Sequence, residues 1–502
     1  MQIVFLPILI PLGTAIVLAL LSKNVTIQRV VSAVSTLTTY VLSIALLFIV
    51  RGDGIQVYKQ GNWDPPFGIC LVADLFSSAM IVIAMTIAVA ALAFTFWSID
   101  KQREKHYLYP LFQFQLMGVN GCFLTGDLFN LFVFFEIMLI ASYALISLGG
   151  EKRQLEAAVK YMAINLVGST IMVGTVVMLY GLVGTLNMAD IAQRIASSPQ
   201  QGTITPIAMI FLIVFGLKGA LFGLWFWMPG TYSVIPAGIS AYFGGILTKV
   251  GVYCLFRVFT LMFVYDTGYT HTIILVLAGL TMLVGVLGAA AQNNYRSILT
   301  YHISSQVGYM IMGLGIFTTA SVAAGMFYIV HHILVKSALF LTSGVAEKIT
   351  GSQHIKSMGG LASRYPAMAV LFLVAALSLS GFPPLSGFTA KLLLIKAGFE
   401  AGGWLNYTII AVSLLVSFFT LYSMSKIWQA AYWGKKASDK PDETNFSYKA
   451  LLVPIAFLVG LCIFMGLYAE PFINFFSDAA NQMMDPTVYI NAVDPQSELL
   501  PN

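Results

Sequence analysis

Glu136 is a lone acid inside "LFNLFVFFEIMLIASYALISL", a run long enough to cross a bilayer. Lys218, Lys249, Lys336 and Lys391 lie in comparable runs, as do the adjacent His331 and His332, and His302 stands near the start of another. A charged side chain at bilayer depth costs about 3 kcal/mol even on lenient insertion scales, so such groups turn inward and find partners. One acid, several bases and histidines that titrate near neutrality are the components of a proton-transfer file. The bland alternative is a set of buried pairs that fix helix packing and move nothing.

Each residue carries its own argument. Lys218, in "FGLKGAL", adjoins a glycine-rich interruption. Burial and a neighbouring carboxylate pull an ammonium's proton affinity in opposite directions, so changing the Glu136–Lys218 separation would switch where the proton sits. A permanent ion pair locking the fifth span to the seventh is the alternative. Lys249 falls ~20 Å from the cytoplasmic end of its span at 1.5 Å per residue, too deep to snorkel. Lys391 follows a second interruption as Lys218 adjoins the first, and reads as the second half's titrating base. In "YIVHHILVKSALFL", His332 and Lys336 are four apart and share a helix face, while His331 points elsewhere. His302, in "LTYHISSQ", is expected near a cytoplasmic helix start, feeding protons inward. Lys160, Arg257 and Lys396 lie near span ends, where long side chains reach the interface. Lys426 sits deeper and receives no role.

These residues need a membrane scaffold, and the composition supplies one. The chain has 502 residues, 58% hydrophobic and 9% charged, with net charge +5 and mean hydropathy +0.85, whereas soluble domains carry roughly 25% charged residues. "MQIVFLPILIPLGTAIVLALL" lacks the basic start and cleavage site of a signal peptide, so it reads as the first span. Cys70, Cys122, Cys254 and Cys462 are scattered without metal or redox spacing and read as packing residues. No Walker loop, dinucleotide fingerprint, haem ligation or zinc spacing is present, so no cofactor or metal is expected. Protons, lipid and neighbouring membrane chains are the expected partners, and nucleic acid is not.

The fold expected is an all-α polytopic membrane protein of about 14 transmembrane helices, each needing roughly 20 apolar residues. Fifteen cations fall in the odd-numbered loops (Lys23, Arg29, Lys101, Arg103, Lys105, Lys152, Arg153, Arg296, Lys348, Lys356, Arg364, Lys435, Lys436, Lys440, Lys449). Only Arg51, Lys59 and Arg194 fall in the even-numbered ones. The positive-inside rule then puts both termini outside a bacterial-type cell membrane. The seventh span, "IFLIVFGLKGALFGLWFWMPG", and the twelfth, "AALSLSGFPPLSGFTAKLLLI", are interrupted. Breaks at membrane depth survive where they line a protected cavity. Two breaks five helices apart give the pattern of an inverted repeat, since an odd shift turns the second copy over. Two unrelated kinks are the alternative. The expected division is helices 1–3 over 1–107, a first inverted repeat (helices 4–8) over 108–263, a second (helices 9–13) over 264–434, and helix 14 with a tail over 435–502.

Four fragments, "GDLFNLFVFFEIMLIASYALISLGG", "FGLKGALFGLWFWMPGTYSVIPAGISAYFGGILTKVGVY", "HHILVKSALFLTSG" and "SGFPPLSGFTAKLLL", together resemble one family. It comprises the antiporter-like subunits of respiratory complex I, membrane-bound hydrogenases and Mrp-type cation/proton antiporters. The resemblance implies fourteen helices with two inverted five-helix repeats, and it matches Glu136 to the family's fifth-helix glutamate and Lys218 to its seventh-helix lysine. Lys249 and Lys391 match the eighth- and twelfth-helix bases, and His332 with Lys336 the eleventh-helix polar face. Lysine at 391 and "WDPPFGICLVAD" look more like the D-type branch of the Mrp antiporters. The function implied is proton translocation within a hetero-oligomeric complex exchanging a monovalent cation, sodium being the expectation, with the cation passing elsewhere. The rivals are a redox-driven pump component of a quinone reductase or hydrogenase, and a non-transporting scaffold.

Overall fold

The structure is a computed structural model that describes residues 2–21, 24–197, 201–435 and 446–494. Lys23, Lys436 and Lys440, three of the loop cations counted above, lie outside the described residues, as does the end of the tail beyond 494. Helix dominates. In chain order the main helices are α1 (Leu6–Leu20), α2 (Val25–Asp53), α3 (Leu75–Ser98), α4 (Leu108–Leu124), α5 (Leu128–Ser147) and α6 (Lys152–Val183). They continue as α7 (Gln201–Gly219), α8 (Ala237–Leu261), α9 (Thr267–Ala291), α10 (Tyr295–Ile316) and α11 (Thr319–Thr350). The rest are α12 (Pro366–Ser380), α13 (Ser386–Ala401), α14 (Trp404–Tyr432), α15 (Tyr448–Leu467), α16 (Ala469–Met484) and α17 (Pro486–Val493). Among the described residues, 10 helices are long and apolar enough to cross a membrane, and α1 and α12 are shorter apolar helices.

The two interruptions have separate causes. α7 stops at Gly219 because Ala220 adopts a left-handed conformation, φ 63°. The chain then runs through a turn to a single helical turn at Met228–Tyr232. Backbone freed there finds side chains: Phe222 N–H donates to Thr281 Oγ1 of α9 at 2.9 Å, and Trp227 Nε1 donates to the Leu217 carbonyl at 3.2 Å. At the second interruption Gly381, φ 91°, ends α12, and α13 restarts at Ser386. Gly466 of α15 presses on this turn, since a Cβ there would meet the Ser386 nitrogen at 2.6 Å. Each break is thus packed on one side by a neighbouring helix, which supplies part of what backbone without helical bonds needs at this depth, while Phe226 and Phe382 lie exposed on the other.

α8 and α11 form the middle of the molecule; every residue of their apolar windows is buried. α11 packs against α3, α8, α10, α12, α13, α15 and α16. Within α8, residues Phe243–Leu247 form a π-helical turn just before Lys249. Two adjacent glycines in this turn let α11 pack close: a Cβ on Gly244 would meet the Phe340 ring of α11 at 2.7 Å, and one on Gly245 would collide with Ser337. π-turns inside helices are frequent at functional sites.

One face of the bundle carries an antiparallel hairpin of β1 (Gln56–Lys59) and β2 (Cys70–Ala73), a short helix at Met188–Ala196, and the two tail helices. α16 buries Phe476, Ala479, Ala480 and Met483 against α3 and α11, a 3–4 spacing that the tail's sequence displays and that reading it as a plain tail overlooked. The cysteines pack as expected: all four are buried without disulfides. Cys70 Sγ accepts from Asn187 Nδ2 at 3.2 Å, and burial pushes its thiol up to about 11. On the opposite face a cavity of about 670 Å³ is lined by Arg103, Glu151, Arg296, Glu347 and Gln353.

Candidate functional site

Lys218, on the last turn of α7, is buried and reaches sideways into α6. Its Nζ donates to Asn165 Oδ1 at 3.2 Å, to the Asn165 carbonyl at 3.3 Å and to Ser169 Oγ at 3.3 Å, and lies 5.8 Å from the Phe135 ring centre. The expected direct pair with Glu136 does not form. Glu136 lies near enough to act on Lys218 electrostatically, but no contact within 4.0 Å joins them among the described residues. The reason is placement: α6 packs between α5 and α7 and supplies the ammonium's three oxygens itself. Glu136 sits half-buried on a stripe of α5 whose neighbours Phe129 and Ile140 are exposed, and its Oε1 has no hydrogen-bond partner among the described residues.

α8 meets the end of α7 through glycine. A Cβ on Gly251 would lie 2.8 Å from the Lys218 carbonyl carbon and 2.9 Å from the Phe215 oxygen. Two residues before it, Lys249 is fully buried, and its Nζ donates to the Gly244 carbonyl of the π-turn at 2.8 Å and to Thr248 Oγ1 at 3.2 Å. Gly251→Val is expected to force the two lysine-bearing segments apart, an overpacking cost of about 1–3 kcal/mol. Thermal unfolding of the purified protein checks this, and an unchanged midpoint contradicts it.

From Lys249 the site runs into α11. Lys249 and Lys336 both lie within electrostatic range of His332, and of each other. Lys336 Nζ donates to the Leu299 carbonyl of α10 at 3.0 Å. His332 makes no hydrogen bond through either ring nitrogen among the described residues. His331 does face elsewhere, as its helical position required: its Nδ1 contacts Ser386 Oγ at 2.8 Å, over the second interruption. His302 departs from expectation. It is fully buried on α10 instead of standing at a cytoplasmic mouth, with Nε2 2.5 Å from Ser423 Oγ and within electrostatic reach of Lys336 and Lys391. Nδ1 of His302 and Nε2 of His331 are also without partners among the described residues.

Lys391 ends the series. Its Nζ donates to the Ser380 carbonyl, exposed by the break, and to Ser417 Oγ, both at 3.0 Å, and lies 5.1 Å from the Tyr309 ring centre. Its stem crosses Gly381, where a Cβ would lie 2.9 Å from Lys391 Cδ. The interruption therefore makes both the acceptor and the space for this lysine.

Sequence reasoning missed the ladder that links these bases. α10 presents His302, Gln306 and Tyr309, and α14 presents Ser423, Thr420 and Ser417. They pair in antiparallel order: His302 with Ser423, Gln306 Nε2 to Thr420 Oγ1 at 3.5 Å, and Tyr309 with Ser417 at 2.9 Å. Tyr328 of α11 stacks on Tyr309 and donates to Gln306. The spacing of four and three on α10, and of three and three on α14, was the available signal.

The remaining cations divide. Lys160 is exposed, and Lys396 pairs with Glu400 at 3.7 Å on an exposed helix face. Lys426 caps α9, donating to the carbonyls of Ala290 at 3.0 Å and Gln292 at 2.7 Å, where a cation suits the helix dipole. Arg257 does not reach the interface as expected; it is 5% exposed and ion-paired with Asp74. That pair also shows that Glu136 is not the only acid buried deeply enough to need a partner.

A family model described as "NADH:quinone oxidoreductase/Mrp antiporter, TM" matches residues 125–420. The chain is 50% identical over 492 residues to the D-type subunit of the Na(+)/H(+) antiporter of Alkalihalophilus pseudofirmus, covering 98% of this chain and 99% of the relative. It is 42% identical over 490 residues to the D-type subunit of the Na(+)/H(+) antiporter of Bacillus subtilis, with 98% and 99% covered. A chain of the Mrp complex from Dietzia sp. DQ12-45-1b superposes with TM-score 0.90 at 30% identity, over 98% of this chain and 99% of that one. A chain of an archaeal respiratory complex, the membrane-bound sulfane sulfur reductase, gives TM-score 0.89 at 25% identity, over 98% and 100%.

Proposed function

This chain belongs to the NADH:quinone oxidoreductase/Mrp antiporter transmembrane family, and from that membership we propose that it is the D-type subunit of a multisubunit Na+/H+ antiporter. It is a transporter component and not an enzyme. It moves protons along a buried file from Lys218 through Lys249, the His332–Lys336 pair and His302 to Lys391, with His331 over the second interruption. Sodium is the exchanged cation, and it passes through a partner chain of the complex. Both termini face outward, and the two halves of the chain, 108–263 and 264–434, are inverted repeats that each set one break beside a titrating lysine.

The observation that supports this most directly is the state of the histidines. Four imidazole nitrogens, on His302, His331 and His332, are buried without a hydrogen bond among the described residues. A buried polar atom left unpaired costs about 1–3 kcal/mol, and these three histidines gather that cost within electrostatic range of Lys249, Lys336 and Lys391. A relay makes use of such groups, because mobile protons need open valences. Glu136 fits the gating role by position: it lies close to Lys218 yet on an outward stripe, where a neighbouring chain of the complex can change its surroundings.

Replacing His332 tests the reading against a scaffold. His332→Leu removes two unpaired nitrogens, so the complex assembles at wild-type yield while sodium-driven proton flux falls about 10–100-fold, within the reach of general acid–base contributions. Flux per assembled complex, measured by fluorescence quenching in vesicles, decides the matter; undiminished flux refutes the relay. The redox-pump alternative has one observation in its favour, the match to the respiratory complex, and gene neighbours encoding iron–sulfur proteins would favour it.

A further inference from the structure

Lys249, Tyr253 and Arg257 recur every fourth residue, so they share one face of α8 and run ~12 Å along it, from the centre of the file toward the hairpin-and-tail face. The hydroxyl of Tyr253 is fully engaged. It donates to the Phe123 carbonyl at 2.8 Å and accepts from Arg257 Nη2 at 3.0 Å. Arg257 is held on every side: ion-paired with Asp74, 5.4 Å from the Tyr253 ring centre and 5.2 Å from that of Tyr489. Asp74 is 3% exposed and caps α3, accepting from Ser77 N–H at 2.7 Å. The tail closes the assembly: Tyr489 comes from α17, and Gln482 Oε1 of α16 accepts the Leu75 N–H beside Asp74 at 3.0 Å.

We propose that Arg257, positioned by Asp74 and covered by Tyr489, is a fixed-charge barrier that closes the Lys249 end of the file to the tail face. The inference rests on the proton-file reading. Every buried base in the file is a lysine or histidine, which can bind a proton and release it. A guanidinium keeps its charge throughout, so it repels an incoming proton and cannot carry one across. Fixed arginines exclude protons and cations from membrane pores on the same principle. Protons arriving at Lys249 therefore turn sideways into α11 and leave by the second half. An open path at Tyr253 would let them slip to the tail face without exchange. Arg257 is thus a positioning and barrier residue that touches no transported proton.

The test separates charge from packing. The assembled complex is reconstituted in phosphatidylethanolamine/phosphatidylglycerol vesicles, with choline as the only monovalent cation, and decay of an imposed pH gradient is followed with trapped pyranine. Arg257→Gln is expected to speed the decay at least 5-fold over wild type. Asp74→Asn keeps the positive charge and is expected to leak no faster than wild type. If Arg257→Gln alone fails to assemble, the double variant R257Q/D74N, which leaves no buried charge unpaired, replaces it and is expected to leak equally. A tight Arg257→Gln or double variant overturns the barrier. Equal leakage from Asp74→Asn overturns it too, because that result marks a structural staple. Sodium-driven flux of the wild-type complex, measured in parallel, shows separately whether the file itself operates.

Discussion

Removing the charge of either Glu136 or Lys218 abolishes antiport and leaves the complex assembled. For Glu136→Gln and Lys218→Ala, sodium-dependent proton flux per complex is expected to fall at least 100-fold, to the vesicle background. The structure makes the assembly half of this prediction specific. Because the two residues do not touch, neither substitution strips a bonded ion from its counter-ion, the event that makes broken buried pairs cost about 3–5 kcal/mol. Lys218→Ala frees only neutral acceptors on Asn165 and Ser169, and the Asn165 side chain stays anchored through Nδ2, which donates to the Tyr161 carbonyl at 2.9 Å. Flux is what suffers, since the electrostatic link between α5 and α7 is what would move a proton onto or off Lys218. Blue-native gels for assembly and fluorescence quenching for flux check the two halves, and normal flux in Glu136→Gln vesicles rules out the gate.

Lys391→Arg is the second large effect, and it works without removing any charge. Arginine keeps the cation beside Tyr309 and can still donate to the Ser380 carbonyl and Ser417. What it loses is the ability to give up a proton. A lysine serving only as a structural cation tolerates this change, whereas a relay lysine does not. Flux is expected to fall at least 100-fold, with assembly held within about twofold of wild type. Retention of half the wild-type rate would show that Lys391 never releases its proton. Arg257 gives the contrasting case within the same chain, a position where permanent charge is the proposed purpose.

The sequence carried the helices, the two interruptions and most of the embedded bases, because lipid leaves few solutions for a polar group in an apolar run. The glycines around Lys218 and the Gly-Pro cluster before Lys391 marked the two breaks, although the left-handed residue that ends α7 is Ala220, and a lysine beside each break had to find oxygen. Partners were not legible. Which oxygens serve Lys218 depends on α6 lying between α5 and α7, a packing choice that spacing along one helix cannot express. His302 was misplaced for a related reason: distance from a helix start says nothing about α14 covering that side. The π-turn at Phe243–Leu247 left only two glycines as a trace. The Arg257–Asp74 pair joins residues 183 apart in sequence, beyond the reach of any local pattern. The serine–threonine rungs of α14 were visible at three-residue steps, but apolar runs drew attention away from small hydroxyls.

The burial of α11 has a consequence for biogenesis. His331, His332 and Lys336 ride on one helix, and on insertion scales a charged residue at its centre costs about 3 kcal/mol. When this segment leaves the ribosome, α12, α13 and α15, which later flank it, have yet to be synthesised. Its polar face carries that cost until it is sheltered, first by α3, α8 and α10 and then by the helices still to come.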